Sequence, residues 1–273
     1  MRGMDRSTID IRDLLFEGIR GNRFTAQIRA LADGVLSGSA SLRERGEEIG
    51  VTFLNLLPEG ATLRVDTVVT EFTGLAKQMA LCEESLMGLI AKFSGVAGAA
   101  ARARESAGRI RVVCGAWKKM PGESKQALRR AITTGGMPTR LVDQNFVYLD
   151  KNYVRMLGGI RPTLAAARSI GGRVLAIQIR GETLPIANEA LTAADAGANV
   201  LMVDTGIIDD ARTVSVALCT HGLRQHVRIA YSGGLVIEDL PRLQDEDIDI
   251  VDIGRAVIDA RLLDMSMDII GRC

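Results

Sequence analysis

The chain has 273 residues, 47% hydrophobic and 25% charged, a composition that supports one large α/β domain or a main domain with a smaller partner. Its formal net charge of +1 provides no global field for gathering nucleic acid or an anionic membrane, and no apolar run approaches the roughly 20 residues of a spanning helix. The N-terminal MRGMDRSTIDIRDLL alternates charged and apolar residues without a signal-peptide core, so a cytoplasmic protein is expected.

The first hundred residues mix strand-like and helix-like segments with Gly-rich turns. They end in a long Ala/Gly/Leu helix over about 75–106, whose small residues Gly88, Ser94, Gly95, Ala97 and Gly98 would admit another helix at close range. This reads as a smaller α+β domain, residues 1–107, joined by the C-terminal segment 265–273.

From 108 to 264 the pattern changes. Six apolar, β-branched runs read as strands: RIRVVCGA (109–116), QNFVYLD (144–150), RVLAIQIR (173–180), NVLMVDTG (199–206), VRIAYSGG (227–234) and IDIVDIG (248–254). Segments of helical periodicity separate them. Runs without alternation, each followed by an amphipathic helix, imply parallel strands buried on both faces. Six units in sequence point to a closed or nearly closed β/α barrel, with an open doubly wound sheet as the alternative.

Reactive groups in such a barrel gather where strands end. Here those positions hold Lys118 and Lys119, Asp150 and Lys151, Gln178 and Arg180, Asp204, Ser232 with Gly233 and Gly234, and Asp252 with Gly254. Only six of the 34 basic residues are lysines (Lys77, Lys92, Lys118, Lys119, Lys125 and Lys151), so two adjacent lysines after the first strand stand out. Asp204 and Asp252 could each be simple helix N-caps. YSGGLVIEDL and DIGRAVID place glycine turns before helices on adjacent late strands, where backbone N–H groups and a helix N-terminus suit a phosphate. The four cysteines have no metal-type spacing. His221 and His226, in CTHGLRQHVRI, suit a helix terminus or the surface.

Taken in order along nearly the whole chain, these segments resemble the quinolinate phosphoribosyltransferase family. CEESLMGLIAKFSGVAG resembles its Ser-Gly helix, and GAWKKMPG its Asp-Thr-Arg-Lys-Thr-x-Pro-Gly signature. TGGMPTR, VYLDKNY, DAGANVLMVDT, AYSGGL and VDIGRAVIDARLLDMSMDI follow in the family's order. The resemblance implies an incomplete β/α barrel after an α+β domain. It also implies magnesium as cofactor, and a homodimer or higher homo-oligomer whose active sites take residues from both subunits. Family members transfer phosphoribose from phosphoribosyl pyrophosphate to quinolinate, with decarboxylation.

Kept are Lys118, Pro121, Gly122, Arg140, Asp204, Ser232, Gly233, Gly234 and Gly254. By resemblance, Ser232–Gly234 and Gly254 hold phosphate, Asp204 holds magnesium and the ribose, and Lys118 meets pyrophosphate; Lys119, standing where the family has threonine, is expected to join it and make up for the charge lost at Trp117. Lost are the cations for a dicarboxylate. The family's arginine on the Ser-Gly helix is Glu84, its signature arginine is Trp117 and its signature aspartate is Gly115. The histidine before Arg140 is Thr139, the Lys-Asp pair is inverted to Asp150-Lys151, and the next histidine is Tyr153. The glutamate of the following strand is Gln178, with Glu182 as a possible substitute. Each lost charge-assisted contact is worth roughly 1.5–3 kcal/mol, so quinolinate is not the expected acceptor. The acceptor would instead meet Trp117, Arg140, Asp150, Gln178 and a neighbouring subunit's Glu84. The expectation is a phosphoribosyltransferase with another acceptor in a specialised pathway. The alternatives are an enzyme acting on a preformed mononucleotide, with Lys118 or Lys119 as base or nucleophile, and a non-catalytic nucleotide binder.

Overall fold

Period-two alternation forms the first sheet. In β1 (Arg23–Ala30) residues Ala26, Ile28 and Ala30 are buried while Thr25, Gln27 and Arg29 are not, as one buried sheet face requires. With β3 (Thr52–Leu56), β5 (Val68–Leu75) and β12 (Met265–Arg272) it makes an antiparallel sheet in the order β12-β1-β5-β3. β2 (Gly34–Val35) and β4 (Thr62–Leu63) form a separate small ribbon. The computed structural model describes residues 10–273. Its first unit holds the chain up to Gly98 together with Gln126–Gly135 and Ala260–Cys273, and its second holds Ala99–Lys125 and Gly136–Asp259.

The first unit's core includes Ile28, Leu36, Leu42, Leu63, Val69, Phe72, Leu86, Ile90 and Leu263. Helix α1 (Ile11–Leu15) opens with Asp10 as its N-cap. Helix α2 (Ser39–Ile49) starts at Gly38 and stops at Gly50, both left-handed, where a Cβ would be strained. α3 (Ala76–Ser106) is the long helix expected from its composition. Two of its small residues meet chain segments of the same unit, whereas Gly88 faces open space: a Cβ at Gly95 would land 2.0 Å from the Arg261 carbonyl oxygen, and the Ser94 hydroxyl accepts the Ser37 N–H at 3.0 Å.

In the second unit all six expected strands form, as β6 (Arg111–Val113), β7 (Phe146–Leu149), β8 (Val174–Ile179), β9 (Val200–Asp204), β10 (Arg228–Ser232) and β11 (Ile250–Asp252). They pair in parallel in the order β6-β11-β10-β9-β8-β7. Each strand from β7 to β11 lies beside its successor and β6 lies beside β11. This is the order of a barrel left open between β6 and β7, not that of a doubly wound sheet. The apolar cluster on one strand face comprises Val113, Ala176, Val200, Met202, Ala230 and Ile250, joined by Leu141 and Val142 from the segment before β7 and with Phe146, Tyr148 and Val174 against it.

The intervening helices are α4 (Lys125–Thr134), α5 (Lys151–Met156), α6 (Ile160–Arg168), α7 (Ile186–Asp195), α8 (Ile208–Thr220), α9 (Leu240–Leu243) and α10 (Arg255–Ile258). NYVRMLGGIRPTLAAARS is two helices because Gly158 and Gly159, at φ 82° and 123°, leave the helical region between them. α4 counts with the first unit although it follows the first barrel strand. His221 is the C-cap residue of α8, its Nδ1 lying 2.9 Å from the Ala217 carbonyl. The four cysteines are free, and burial pushes the thiols of Cys82 and Cys114 up to about 12. No described helix is long and apolar enough to cross a membrane.

Candidate active site

Strand register builds the site. Val113, Asp252, Ser232 and Asp204 are direct partners across the four adjacent strands β6, β11, β10 and β9. Side chains two residues apart share a face. Following the apolar cluster toward the strand ends leads from Val113 to Gly115, from Ile250 to Asp252 and from Ala230 to Ser232. The same steps lead from Met202 to Asp204, from Ala176 to Gln178 and Arg180, and from Tyr148 to Asp150. The apolar interior thus gives way to a polar rim at the C-terminal ends of the strands.

Asp204 is the centre of that rim. The Ser232 hydroxyl donates to its Oδ1 at 2.6 Å. The Gln178 amide donates to Oδ2, and the Arg180 Nη1 lies 3.2 Å from the same oxygen while also donating to the Asp204 carbonyl. The orientation of the Gln178 amide is fixed independently, because its Oε1 accepts the Lys151 backbone N–H at 2.7 Å and its NH₂ must then face Asp204. Three of the roughly four acceptor positions of an ionised carboxylate are therefore taken.

The second cluster surrounds the turn Ala116–Lys119. Asp252 accepts the Gly115 N–H at 2.9 Å, and a Cβ on Gly115 would lie 3.0 Å from its Oδ2. The carboxylate of β11 thus occupies the space above β6 that a side chain at 115 would need. Burial pushes the Asp252 carboxyl above its ordinary value, although the Gly115 N–H and the Lys118 and Lys119 charges act the other way. The Lys118 ammonium sits 5.5 Å from the centre of the Tyr148 ring, a cation–π distance. Burial raises the Tyr148 hydroxyl, reinforced by the charges of Asp204, Asp252 and Asp150, so this tyrosine is neutral near pH 7. Tyr148 is a site residue that the sequence reading does not single out. Its signal is the two-residue step from Phe146.

The Trp117 indole N–H donates to the Thr139 carbonyl at 3.3 Å, which draws the 136–140 loop to the same end. There the Arg140 guanidinium lies 5.2 Å from the Phe146 ring centre and donates to the Gln144 carbonyl at 3.4 Å.

The glycines separate by role. A Cβ on Gly233 would fall 2.3 Å from the Gly206 nitrogen, and one on Gly254 would press on the Ala116 Cβ at 3.2 Å, so both permit backbone packing. Gly234, at φ 77°, has open space where a Cβ would point. Asp150 is the N-cap of α5, accepting the N–H groups of Asn152 at 2.8 Å and Tyr153 at 3.2 Å. Its Oδ1 is thereby committed to the helix. Glu84 belongs to the other unit, where Arg12 donates to both of its oxygens. Glu182 meets the guanidinium groups of Arg155 and Arg180.

The magnesium implied for Asp204 does not fit these donors. Magnesium takes six oxygens, usually with one or two carboxylates among them. Asp204 presents a carboxylate already paired with Arg180, beside the Gln178 amide.

Comparison with known proteins agrees with this architecture. The family model described as quinolinate phosphoribosyl transferase, C-terminal domain, matches residues 96–268, and that for the N-terminal domain matches residues 8–94. The nicotinate-nucleotide pyrophosphorylase (carboxylating) of Rattus norvegicus is 28% identical over 246 residues, covering 89% of this chain and 80% of that protein. A probable nicotinate-nucleotide pyrophosphorylase of Methanothermobacter thermautotrophicus is 24% identical over 99% of this chain and 98% of its own. Among solved structures, NadC from Streptococcus pyogenes superposes with a TM-score of 0.78 at 22% identity, covering 100% of this chain and 92% of that one. The nicotinate-nucleotide pyrophosphorylase of Pyrococcus furiosus gives 0.82 at 20% identity, covering 100% and 78%. With an N-terminal α+β unit, a parallel half-barrel and matches to both domain models, the chain belongs to the quinolinate phosphoribosyltransferase family of pentosyl-transferring enzymes.

Proposed function

We propose that this enzyme transfers the phosphoribosyl group of phosphoribosyl pyrophosphate to an acceptor other than quinolinate, in a specialised pathway. The observation that carries the reading is the contrast between the two halves of the rim. The donor half keeps Lys118, Asp204, Ser232 and the open Gly234 turn. The acceptor half has an indole at Trp117, a helix-capping carboxylate at Asp150, a neutral phenol at Tyr148 and the buried carboxyl of Asp252. Beside the Arg140 guanidinium a dicarboxylate would meet the carboxyl groups of Asp150 and Asp252, whereas a neutral or cationic ring would find an aromatic face and acceptor oxygens.

In this reading the 5-phosphate lies against Ser232–Gly234, and Asp204 accepts from the ribose hydroxyls through its remaining lone pair. As the bond from C1 of the ribose to pyrophosphate breaks, its electron pair leaves on the pyrophosphate oxygen, beside the Lys118 ammonium. The acceptor's lone pair then closes on the oxocarbenium-like carbon. The protein contributes alignment and fixed charge.

Titration calorimetry with phosphoribosyl pyrophosphate tests this on the wild type and on Lys118→Ala. Wild-type binding should weaken about tenfold or more in the variant, the loss of one charge-assisted contact. Quinolinate should release no pyrophosphate. Binding of nicotinate mononucleotide but not of the donor would favour an enzyme acting on a finished nucleotide. Turnover of quinolinate would overturn the acceptor assignment.

A further inference from the structure

Arg180 is held in place on two sides. Its backbone N–H and that of Gly181 donate to Glu189 Oε2 at 2.9 and 2.8 Å, and the Thr183 N–H and hydroxyl both donate to Oε1 at 2.9 Å. Glu189 is only 3% exposed, so a buried carboxylate with several donors fixes the loop that follows β8. The guanidinium is steered by Glu182 at 3.0 Å and lies on Asp204. Gln178, 7% exposed and locked by the Lys151 N–H, presents its NH₂ to the same oxygen. Arginine brings a permanent charge in a planar fork that matches a carboxylate. This assembly delivers one positive charge to the aspartate at the rim, on a side chain that remains one-third exposed (32%).

We propose that Arg180 is the resident cation of this site, standing on Asp204 in the place of a protein-bound metal ion, so that the ribose phosphate is held without magnesium on the protein. The inference rests on the phosphoribosyl reading above. It assigns Arg180 as a positioning residue that fixes Asp204 for the ribose hydroxyls, and it assigns Gln178 as the neutral partner that makes room for the guanidinium's charge. A glutamate at 178 would give the pair a net negative charge and invite a cation. Any magnesium that enters would come bound to the pyrophosphate of the donor.

Ribose 5-phosphate is the probe, because it lacks the pyrophosphate that carries magnesium of its own. Trp117 is the single tryptophan and adjoins Lys118, so its fluorescence reports the site. Wild-type affinity should agree within about twofold between magnesium and chelator, whereas Arg180→Gln should lose about tenfold or more in chelator. Arg180→Lys should retain metal-independent binding. In parallel, manganese is added to the unliganded protein and followed by electron paramagnetic resonance. The wild type should leave it free, and the Gln178→Glu/Arg180→Gln double variant should capture it. A tenfold loss of wild-type affinity in chelator, or stoichiometric manganese on the wild type, would overturn the proposal. Should ribose 5-phosphate fail to bind under either condition, the phosphoribosyl reading falls, and the manganese measurement alone still decides which cation Asp204 keeps. If Arg180→Gln does not fold, the wild type and Arg180→Lys carry the test.

Discussion

Asp252 shows how one side chain can carry both structural and chemical weight. It takes the Gly115 N–H and so anchors the turn bearing Trp117, Lys118 and Lys119, yet burial makes its charged form costly. A carboxyl whose folded value is raised above its unfolded value favours the protonated fold. Its contribution to stability is therefore fullest below the ordinary value of 3.8 and fades as pH rises through the folded value. Asp252→Asn keeps an oxygen for the Gly115 N–H and removes the charge. The variant should be more stable than the wild type at neutral pH and should lose that advantage in acid, as read from thermal melts across pH. A variant less stable than the wild type at neutral pH and equal to it in acid would show that the Lys118 and Lys119 charges outweigh burial. The carboxylate at 252 and the glycine at 115 are both plain in the sequence. Their meeting was not, because only strand order puts β11 beside β6.

At the level of elements, the exposed Glu59 and the buried Glu189 hold loops and helix ends that pattern alone leaves unexplained. Glu59 accepts the N–H groups of Gly38 at 2.8 Å and Ser39 at 3.1 Å, and the hydroxyls of Ser37 at 2.6 Å and Thr134 at 2.9 Å, so it serves the start of α2 from 20 residues away. Glu189 does the same for the loop 180–184. Burial alone would raise both carboxyls, but their donors hold them below the ordinary value of 4.5. Depressed values add stability that is present above pH 4.5 and is lost as pH falls through the folded value. Glu189→Gln should cost about 1–3 kcal/mol in chemical denaturation at pH 7, since the amide cannot accept from every donor. The cost should shrink in acid, where the wild type loses its own charge. A difference that does not vary with pH would assign the effect to packing. In sequence, LLPEGA and IANEAL carry glutamates indistinguishable from solvated ones, because nothing local marks which carboxylate will gather backbone and hydroxyl donors.

Across the whole chain, legibility followed the range of the forces involved. The six barrel strands were readable because burial on both faces writes an uninterrupted apolar run into each of them, and the strand-end rule then placed Lys118, Gln178, Arg180, Asp204 and Ser232 on one rim. The placement of α4 was not readable, since Leu128, Ala131 and Ile132 mark a buried face without saying what covers it. The C-terminal strand is the clearest long-range case. β12 pairs with β1 from Phe24↔Arg272 to Ala30↔Met265, and the adjoining Leu263 and Met265 belong to the first unit's core. Removing residues 260–273 would bare one whole side of β1, strip two core side chains and leave the Ala91 carbonyl without the Leu263 N–H. An exposed strand edge of eight residues invites pairing between chains. The truncated protein should therefore be recovered largely as aggregate, whereas Ile269→Lys, at an exposed position of the same strand, should remain soluble with a melting temperature close to that of the wild type. If the truncation stayed soluble and melted with the wild type, β12 would be an accessory strand, and the first unit would owe its stability to β1, β3, β5 and α3 alone.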